Sequence, residues 1–126
     1  MQPGNKRVAV NLVDKLEQFQ GLFSHRIVGE VNDMYVKLVK GDGEFVWHSH
    51  DWEDELFFVV KGHLCMLFRD KSVDVRAGEF IVVPHGVEHK PTFTEETHIM
   101  LIEPKATVNT GDAEENELTH EAREWI

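Results

Sequence analysis

Residues 48–62 read HSHDWEDELFFVVKG, and this stretch decides both the fold and the chemistry. It places two histidines one residue apart, a glutamate five residues after the second, and an apolar run that ends at a glycine. Side chains alternate between the two faces of a β-strand, so His48 and His50 are expected on one face. Glu55 opens the next apolar strand, and a hairpin would bring its carboxylate back beside the imidazoles. Imidazole and carboxylate groups grouped in this way can share a metal ion. An isolated His-x-His pair is more often incidental, so the interpretation depends on a third histidine.

The chain around this stretch reads as short strands separated by turns. The predicted strands are 34–40, 44–50, 55–61, 63–69, 73–76, 80–83 and 97–103. Gly41-Asp42-Gly43 is a strong turn signal between the first two. This regular spacing predicts an all-β fold, a small antiparallel β-barrel or double-stranded β-helix (jelly roll) with short flanking helices.

Three parts of the chain differ in pattern. Residues 1–25 are expected to form an N-terminal flank, in which Asn11 caps a short helix with Leu12, Leu16 and Phe19 on one face. Residues 26–104 are expected to form the barrel. Residues 105–126 form an acidic tail with a possible short helix that carries Leu118, Ala122 and Trp125 at helical spacing. This tail either docks its apolar stripe or frays.

A second stretch, residues 78–89, reads GEFIVVPHGVEH and supplies the third histidine. Together the two stretches resemble the two motifs of the cupin superfamily, over residues 34–103. The first motif is matched by His48, His50, Glu55 and Gly62, and the second by Gly78, Pro84, Gly86 and His89. Two positions depart from the pattern: the leading glycine, Gly43, is one residue closer to His48, and Phe93 stands where the family has asparagine.

The resemblance implies a metal centre inside the barrel. By analogy with the family, the ligands would be His48, His50, Glu55 and His89, and the cofactor one divalent transition metal (Fe, Mn, Ni, Zn or Cu). Four protein ligands leave two positions of an octahedral shell open to a small molecule. The overall pattern is similar to small bacterial single-domain cupins. Residues 102–112 also resemble small cupins grouped with mannose-6-phosphate isomerase.

Further side chains are candidates for the wall of the pocket. Phe57 lies on the same side of its strand as Glu55, and Phe93 occupies the altered motif position. His98 opens the last predicted strand. It is two positions from Met100, so both side chains are on one face of that strand, which could be the inner face. The possible pocket residues are therefore Phe57, Phe93, His98 and Met100. Phe45 is expected to pack on the face opposite His48, and His25 has no informative context.

Composition and charge exclude several classes of function. The 126 residues include 23 acidic and 13 basic side chains, with a net charge of −10. Nucleic acids and anionic membrane surfaces require clustered lysine and arginine, so neither is an expected partner. A single cysteine cannot form an intrachain disulfide, and the N-terminal residues lack the apolar stretch of a signal peptide. These features predict a cytoplasmic protein.

The cupin fold does not by itself fix a function, because many activities share it. The first expectation is metal-dependent, dioxygenase-type chemistry on a small polar molecule. One alternative is a metal-assisted isomerase that resembles mannose-6-phosphate isomerase, and another is a non-catalytic sensor of a small metabolite. A small-molecule ligand or substrate is the expected partner, and the exposed edges of a small barrel predict a homodimer.

Overall fold

The computed structural model describes residues 7–116 and 124–126, which contain one short helix and seven β-strands. The elements are α1 (Leu12–Leu16), β1 (Arg26–Val31), β2 (Met34–Glu44), β3 (Glu55–Lys61), β4 (His63–Phe68), β5 (Ser72–Arg76), β6 (Phe80–Val83) and β7 (His89–Pro104). Each paired strand runs antiparallel to its neighbours. The predicted all-β jelly-roll class is confirmed.

Strand β7 holds the two sides of the barrel together. Its sixteen residues pair with β2 along nearly their whole length, with β3 near the C-terminal end, and with β4 near the N-terminal end. The remaining strands extend this arrangement outward, β1 beside β2, β6 beside β3 and β5 beside β4. Because β7 begins at His89, one end of this central strand lies at the predicted ligand.

Two local predictions are wrong. Gly41-Asp42-Gly43 does not end a strand, because β2 continues to Glu44 with a register irregularity between Gly41 and Gly43. A Cβ at Gly41 would lie 2.8 and 2.9 Å from two carbons of the Phe93 ring, so the glycine admits this ring to the interior. Residues 45–54 form no strand, and within them only His48 makes a β-bridge.

The core has an inner and an outer part. Inside the barrel, Phe57, Val59, Ile99 and Leu101 are buried with other side chains of the strands. On the outer face of β1 and β2, Leu16 and Phe19 pack with Val28 and Leu38. The predicted N-terminal helix thus covers an apolar sheet face.

The helix cap and one end of the chain also match expectation in part. Asn11 is the N-cap of α1, and its side chain accepts a hydrogen bond from the backbone N–H of Asp14. Trp125 docks beside β1 through a bridge with Ile27, and its ring meets that of Tyr35 edge-on at 5.9 Å. The other two members of the predicted C-terminal stripe, at positions 118 and 122, lie outside the described residues. Within the described part of the chain, no helix is long and apolar enough to cross a membrane.

Replacement of Gly62 by alanine tests the tight turn between β3 and β4. Gly62 has φ +97°, and a Cβ there would lie 2.9 Å from Thr97 Cα and 3.0 Å from Thr97 Cβ. Gly78 is the matched control, with φ +87° and open space around its Cβ position. We expect Gly78→Ala to lower the free energy of unfolding by about 1 kcal/mol, the cost of a left-handed backbone. Gly62→Ala should cost about 3 kcal/mol because crowding adds to it. Equal losses in urea unfolding would contradict the crowding at Gly62.

Candidate metal centre

A reciprocal pair of backbone hydrogen bonds joins the two ligand segments. His48 N–H donates to His89 O at 3.0 Å, and His89 N–H donates to His48 O at 2.9 Å. Their imidazole rings consequently lie side by side, with centroids 4.3 Å apart. The predicted strand 44–50 is absent, yet this single bridge gives His48 the orientation for which a strand was expected.

The structure brings all four predicted ligands together. The ligating atoms of His48, His50, Glu55 and His89 lie within 4.8 Å of one another. Each side chain is buried, with exposed fractions of 2%, 4%, 3% and 1% in the same order. Glu55 opens β3 and His89 opens β7, while the two other histidines come from the segment between β2 and β3. Rigid strands therefore hold half of the set.

Backbone carbonyls fix the tautomers of two histidines. The Nδ1 atom of His48 lies 2.9 Å from Val46 O, and the Nδ1 atom of His89 lies 2.9 Å from Val87 O. Since a carbonyl only accepts hydrogen bonds, each Nδ1 carries the proton and donates it. An imidazole in this tautomer has its lone pair on Nε2, the atom that can bind a metal.

One carboxylate oxygen of Glu55 faces two of the histidines. Glu55 Oε1 lies 3.0 Å from His50 Nε2 and 3.2 Å from His89 Nε2. His50 Nε2 is buried, but it lacks the alignment of a hydrogen bond to any described residue. A buried polar atom without such a partner carries a free-energy cost that a coordinated cation would remove. Three imidazoles and a carboxylate therefore suit a divalent transition metal.

Burial and neighbouring charges set the protonation of the histidines. Burial and the adjacent His89 lower the pKa of His48 to about 4, so its ring is neutral and able to bind a metal at physiological pH. Burial also lowers the pKa of His50, but contact with the Glu55 carboxylate outweighs burial and holds that pKa above its ordinary value. Protons thus compete with a metal at His50 before they compete at His48.

The electrostatics of Glu55 depend on a second buried carboxyl. Burial raises the pKa of Glu55, but contacts with Glu103, His50 and His89 outweigh it, so its pKa lies well below the ordinary range. Burial and the charge of Glu55 raise the pKa of Glu103 well above that range. Of these two buried carboxyls, Glu55 is therefore the one that ionises more readily.

An apolar pocket adjoins the ligands inside the barrel. Four phenylalanines line it, namely Phe23, Phe45, Phe57 and Phe93, together with aliphatic side chains of β2 and β7. Its cavity volume is about 40 Å³, and His48 and Glu55 form part of its wall. Phe57 and Phe93, two of the predicted pocket residues, both line this cavity.

His98 and Met100 lie outside this pocket, so their predicted inward orientation is wrong. In β7 the odd-numbered residues Ile99 and Leu101 face the interior, because Leu101 pairs with Phe57 of β3. Met100 instead packs against the outer cluster with Leu16 and its neighbours. His98 Nε2 lies 2.8 Å from Glu96 Oε2, on the outer side of the sheet.

Several pocket residues were missed from the sequence. Phe45 was assigned to packing, yet it lines the pocket and meets the His48 ring edge-on with centroids 5.5 Å apart. His25 and Asn109 also line the pocket. Alternation could not identify Phe45 because residues 45–54 are not a regular strand. His25 and Asn109 come from the flanking segments, where no motif marks them.

The first part of the predicted acidic tail is docked on the ligand segment. The Asp112 carboxylate accepts hydrogen bonds from Ser49 N–H at 2.7 Å and from Ser49 Oγ at 3.1 Å. A Cβ at Gly111 would lie 3.1 Å from Cδ2 of His48, so the chain passes directly over this ligand. The residues from Thr107 to Asp112 therefore act as a structural cover rather than a detached tail.

Comparison with known proteins places the chain in a family. A model of the Cupin domain matches residues 34–103. The chain belongs to the cupin family. A cupin-2 domain containing protein from Shewanella frigidimarina shares 49% identity and a TM-score of 0.75, over 76% of this chain and 94% of that one.

Two further relatives are known from their sequences. The uncharacterized protein YdbB of Bacillus subtilis is 37% identical over 79 residues, which are 62% of this chain and 70% of YdbB. The putative dioxygenase SSO1533 of Saccharolobus solfataricus is 25% identical over 95 residues, 72% of this chain. The match covers 24% of the length of that relative. The closer resemblance to mannose-6-phosphate isomerase-like cupins stays a prediction.

The free energy of unfolding of the metal-free protein should decrease as the pH is lowered, because of His48. Its pKa is about 4 when folded and 6.5 in the unfolded chain, so between these values the unfolded state takes up the proton first. We expect about 3 kcal/mol of stability from this group above pH 6.5, lost progressively as the pH falls to 4. Urea unfolding of wild type and His48→Gln at several pH values measures the difference, with His98→Gln as the control. Parallel curves for wild type and His48→Gln would contradict the prediction.

Proposed function

We propose that this cupin is a metal-dependent oxygenase of the dioxygenase type, which acts on a small molecule in the phenylalanine-lined pocket. The observation that carries the proposal is the position of a His₃Glu ligand set at the wall of a buried apolar pocket. The relative from Saccharolobus solfataricus that aligns with most of the chain is named a putative dioxygenase, which supports the same reaction class.

The chain supplies a dry and oriented environment for such a reaction. A bound redox-active divalent metal would supply Lewis acidity and the activation of dioxygen. The phenylalanine side chains exclude water from the reacting groups, and the ligand strands fix the position of the substrate relative to the metal. A dioxygenase transfers both oxygen atoms to the substrate, which supplies the electrons itself, so no external reductant is required.

The pocket favours a substrate that differs from the expected small polar molecule. Hydroxyl groups buried against phenyl rings without partners cost roughly 1–3 kcal/mol each. A molecule with an apolar body and one or two oxygen atoms at the metal side satisfies the walls better. Among the described residues, no lysine or arginine lines the pocket, whereas phosphate esters are bound by such cations. The proposal therefore favours an oxygenase over an isomerase of sugar phosphates.

Oxygen consumption by the iron-loaded protein tests this function. The protein would be loaded with Fe²⁺ without oxygen and then given ¹⁸O₂ with aromatic 1,2-diols, 1,3-diketones or D-mannose 6-phosphate. We expect oxygen uptake with an apolar diol or diketone, and both labelled atoms in the product. His98→Gln, outside the pocket, should behave like wild type, whereas Glu55→Gln should lose both iron and oxygen uptake.

The alternatives give different results in the same experiment. Conversion of the sugar phosphate without oxygen uptake would support the isomerase and overturn the proposal. A compound that raises the Tm and is recovered unchanged, with no oxygen uptake on any compound, would support the sensor. The expected homodimer and cytoplasmic location stay predictions, for which light scattering and cell fractionation are the direct measurements.

A further inference from the structure

The segment His48-Ser49-His50 carries two of the four ligands without being a regular strand, so each of its residues needs an anchor of its own. His48 is joined to His89 by two backbone hydrogen bonds, and His50 O accepts a hydrogen bond from Gly86 N–H at 2.8 Å. Both of these partners belong to the second motif. Ser49, which lies between the two ligands, is held by a different part of the chain.

Asp112 holds Ser49 in the way that a neighbouring strand would. The backbone N–H of Ser49 donates to Asp112 Oδ1 at 2.7 Å, and the backbone N–H of Asp112 donates to Ser49 O at 2.9 Å. The Ser49 hydroxyl adds a third hydrogen bond, to Asp112 Oδ2 at 3.1 Å. Because backbone donors and acceptors next to a buried site need partners, this one residue satisfies both polar groups of the Ser49 backbone.

The residues that precede Asp112 fit closely over the metal centre. Three polar side chains among them are buried, with exposed fractions of 1%, 5% and 1%, namely Thr107, Asn109 and Thr110. Gly111 has φ +52°, and a Cβ there would lie 3.1 Å from Cδ2 of His48. The close approach of Gly111 therefore brings Asp112 to Ser49, although the Asp112 side chain itself is exposed.

This anchor comes from outside the part of the chain that defines the family. The Cupin domain model matches residues 34–103, and both Gly111 and Asp112 lie beyond that match. Motif spacing places His48 and His50 in the chain, but the conformation of the residue between them depends on a contact that neither motif contains.

We propose that Gly111 and Asp112 are positioning residues that hold the His48-Ser49-His50 segment in its ligating conformation, and that they thereby set the affinity of the centre for its divalent metal and the rate of metal release. The inference rests on the proposed metal centre and adds two residues to it. Ligands that are already held in place lose less conformational freedom when an ion binds. Loss of groups that orient metal ligands typically lowers metal affinity 10–100-fold.

Replacement of Asp112 by alanine tests the anchor, because it removes both side-chain hydrogen bonds to Ser49 at an exposed position. We expect the affinity for Zn²⁺, measured by competition with a chromophoric chelator, to fall about tenfold. Release of Zn²⁺ to an excess of chelator should become faster. The visible spectrum of the Co²⁺ form should also change, because the two imidazoles are no longer held in one orientation.

Two further variants at the same position separate geometry from charge. Asp112→Asn removes the charge but keeps an oxygen that accepts from Ser49 N–H. Asp112→Glu keeps the charge but lengthens the side chain by one carbon–carbon bond, about 1.5 Å, which moves the carboxylate away from its place against Ser49. Positioning predicts that Asp112→Asn binds Zn²⁺ within a few-fold of wild type and that Asp112→Glu resembles Asp112→Ala. The reverse order would show that Asp112 acts through its charge, and would overturn the positioning role.

Glu53→Ala is the matched control for the loss of a nearby carboxylate. Glu53 lines the same surface cleft as Ser49 and Asp112, without a hydrogen bond to Ser49. This variant should keep the Zn²⁺ affinity within a few-fold of wild type and leave the Co²⁺ spectrum unchanged. A loss as large as that of Asp112→Ala would contradict a specific role of the Ser49–Asp112 contact.

The outcomes distinguish this inference from the metal centre itself. An Asp112→Ala protein with the Zn²⁺ affinity, release rate and Co²⁺ spectrum of wild type overturns the positioning role. A wild-type protein that binds neither Zn²⁺ nor Co²⁺ overturns the metal centre instead. If Asp112→Ala does not fold, the comparison of Asp112→Asn with Asp112→Glu takes its place, and equal Zn²⁺ affinities of these two variants overturn the role.

Discussion

The two backbone hydrogen bonds between His48 and His89 are the interaction on which the site depends. They tie an irregular segment, residues 45–54, to the first residue of the longest strand. Backbone bonds act independently of side-chain chemistry, so the two rings stay paired whether or not an ion lies between them. The carbonyls of Val46 and Val87 then turn each Nε2 inward. This bridge fixes the separation of His48 and His89, whereas Glu55 is placed by the start of β3.

Burial sets the protonation states of the ligands in the centre, and it also carries a free-energy cost. The His48 ring must stay neutral in the folded protein, and Glu55 must stay ionised in a nearly dry interior. A bound cation would compensate the Glu55 charge and occupy the nitrogen lone pairs, so metal binding and stability are linked. The apolar pocket keeps water from competing with these interactions.

Motif spacing predicted the ligand set because the ligands are positioned by short segments of the chain. A hairpin-like approach from His50 to Glu55, and a turn from Pro84 to His89, position ligands over a few residues each. The orientation of β7 could not be predicted in the same way. Residues 97–103 read THIMLIE, with apolar side chains on both faces, so alternation alone does not identify the inner face. The inner face is identified by the pairing of Leu101 with Phe57, two residues that are 44 positions apart in the sequence.

The buried pair of Lys37 and Glu103 shows a second limit of local patterns. Lys37 and Glu103 each stand in an apolar strand, where a charged side chain is normally assigned to the solvent face. Only the register of β2 against β7 places the two side chains near each other inside the barrel. The docked residues Gly111 and Asp112 were missed for a similar reason, since their contact with Ser49 joins distant parts of the chain.

X-ray absorption spectroscopy of the Zn²⁺-loaded protein tests the central claim most directly, because it reports the atoms around the ion. Ligation by His48, His50, Glu55 and His89 predicts three imidazole nitrogens and at least one carboxylate oxygen at about 2.0–2.2 Å. The scattering from imidazole rings should fit three histidines, with no sulfur in the first shell. A sulfur at about 2.3 Å, or a shell of oxygens without imidazole scattering, would contradict the account.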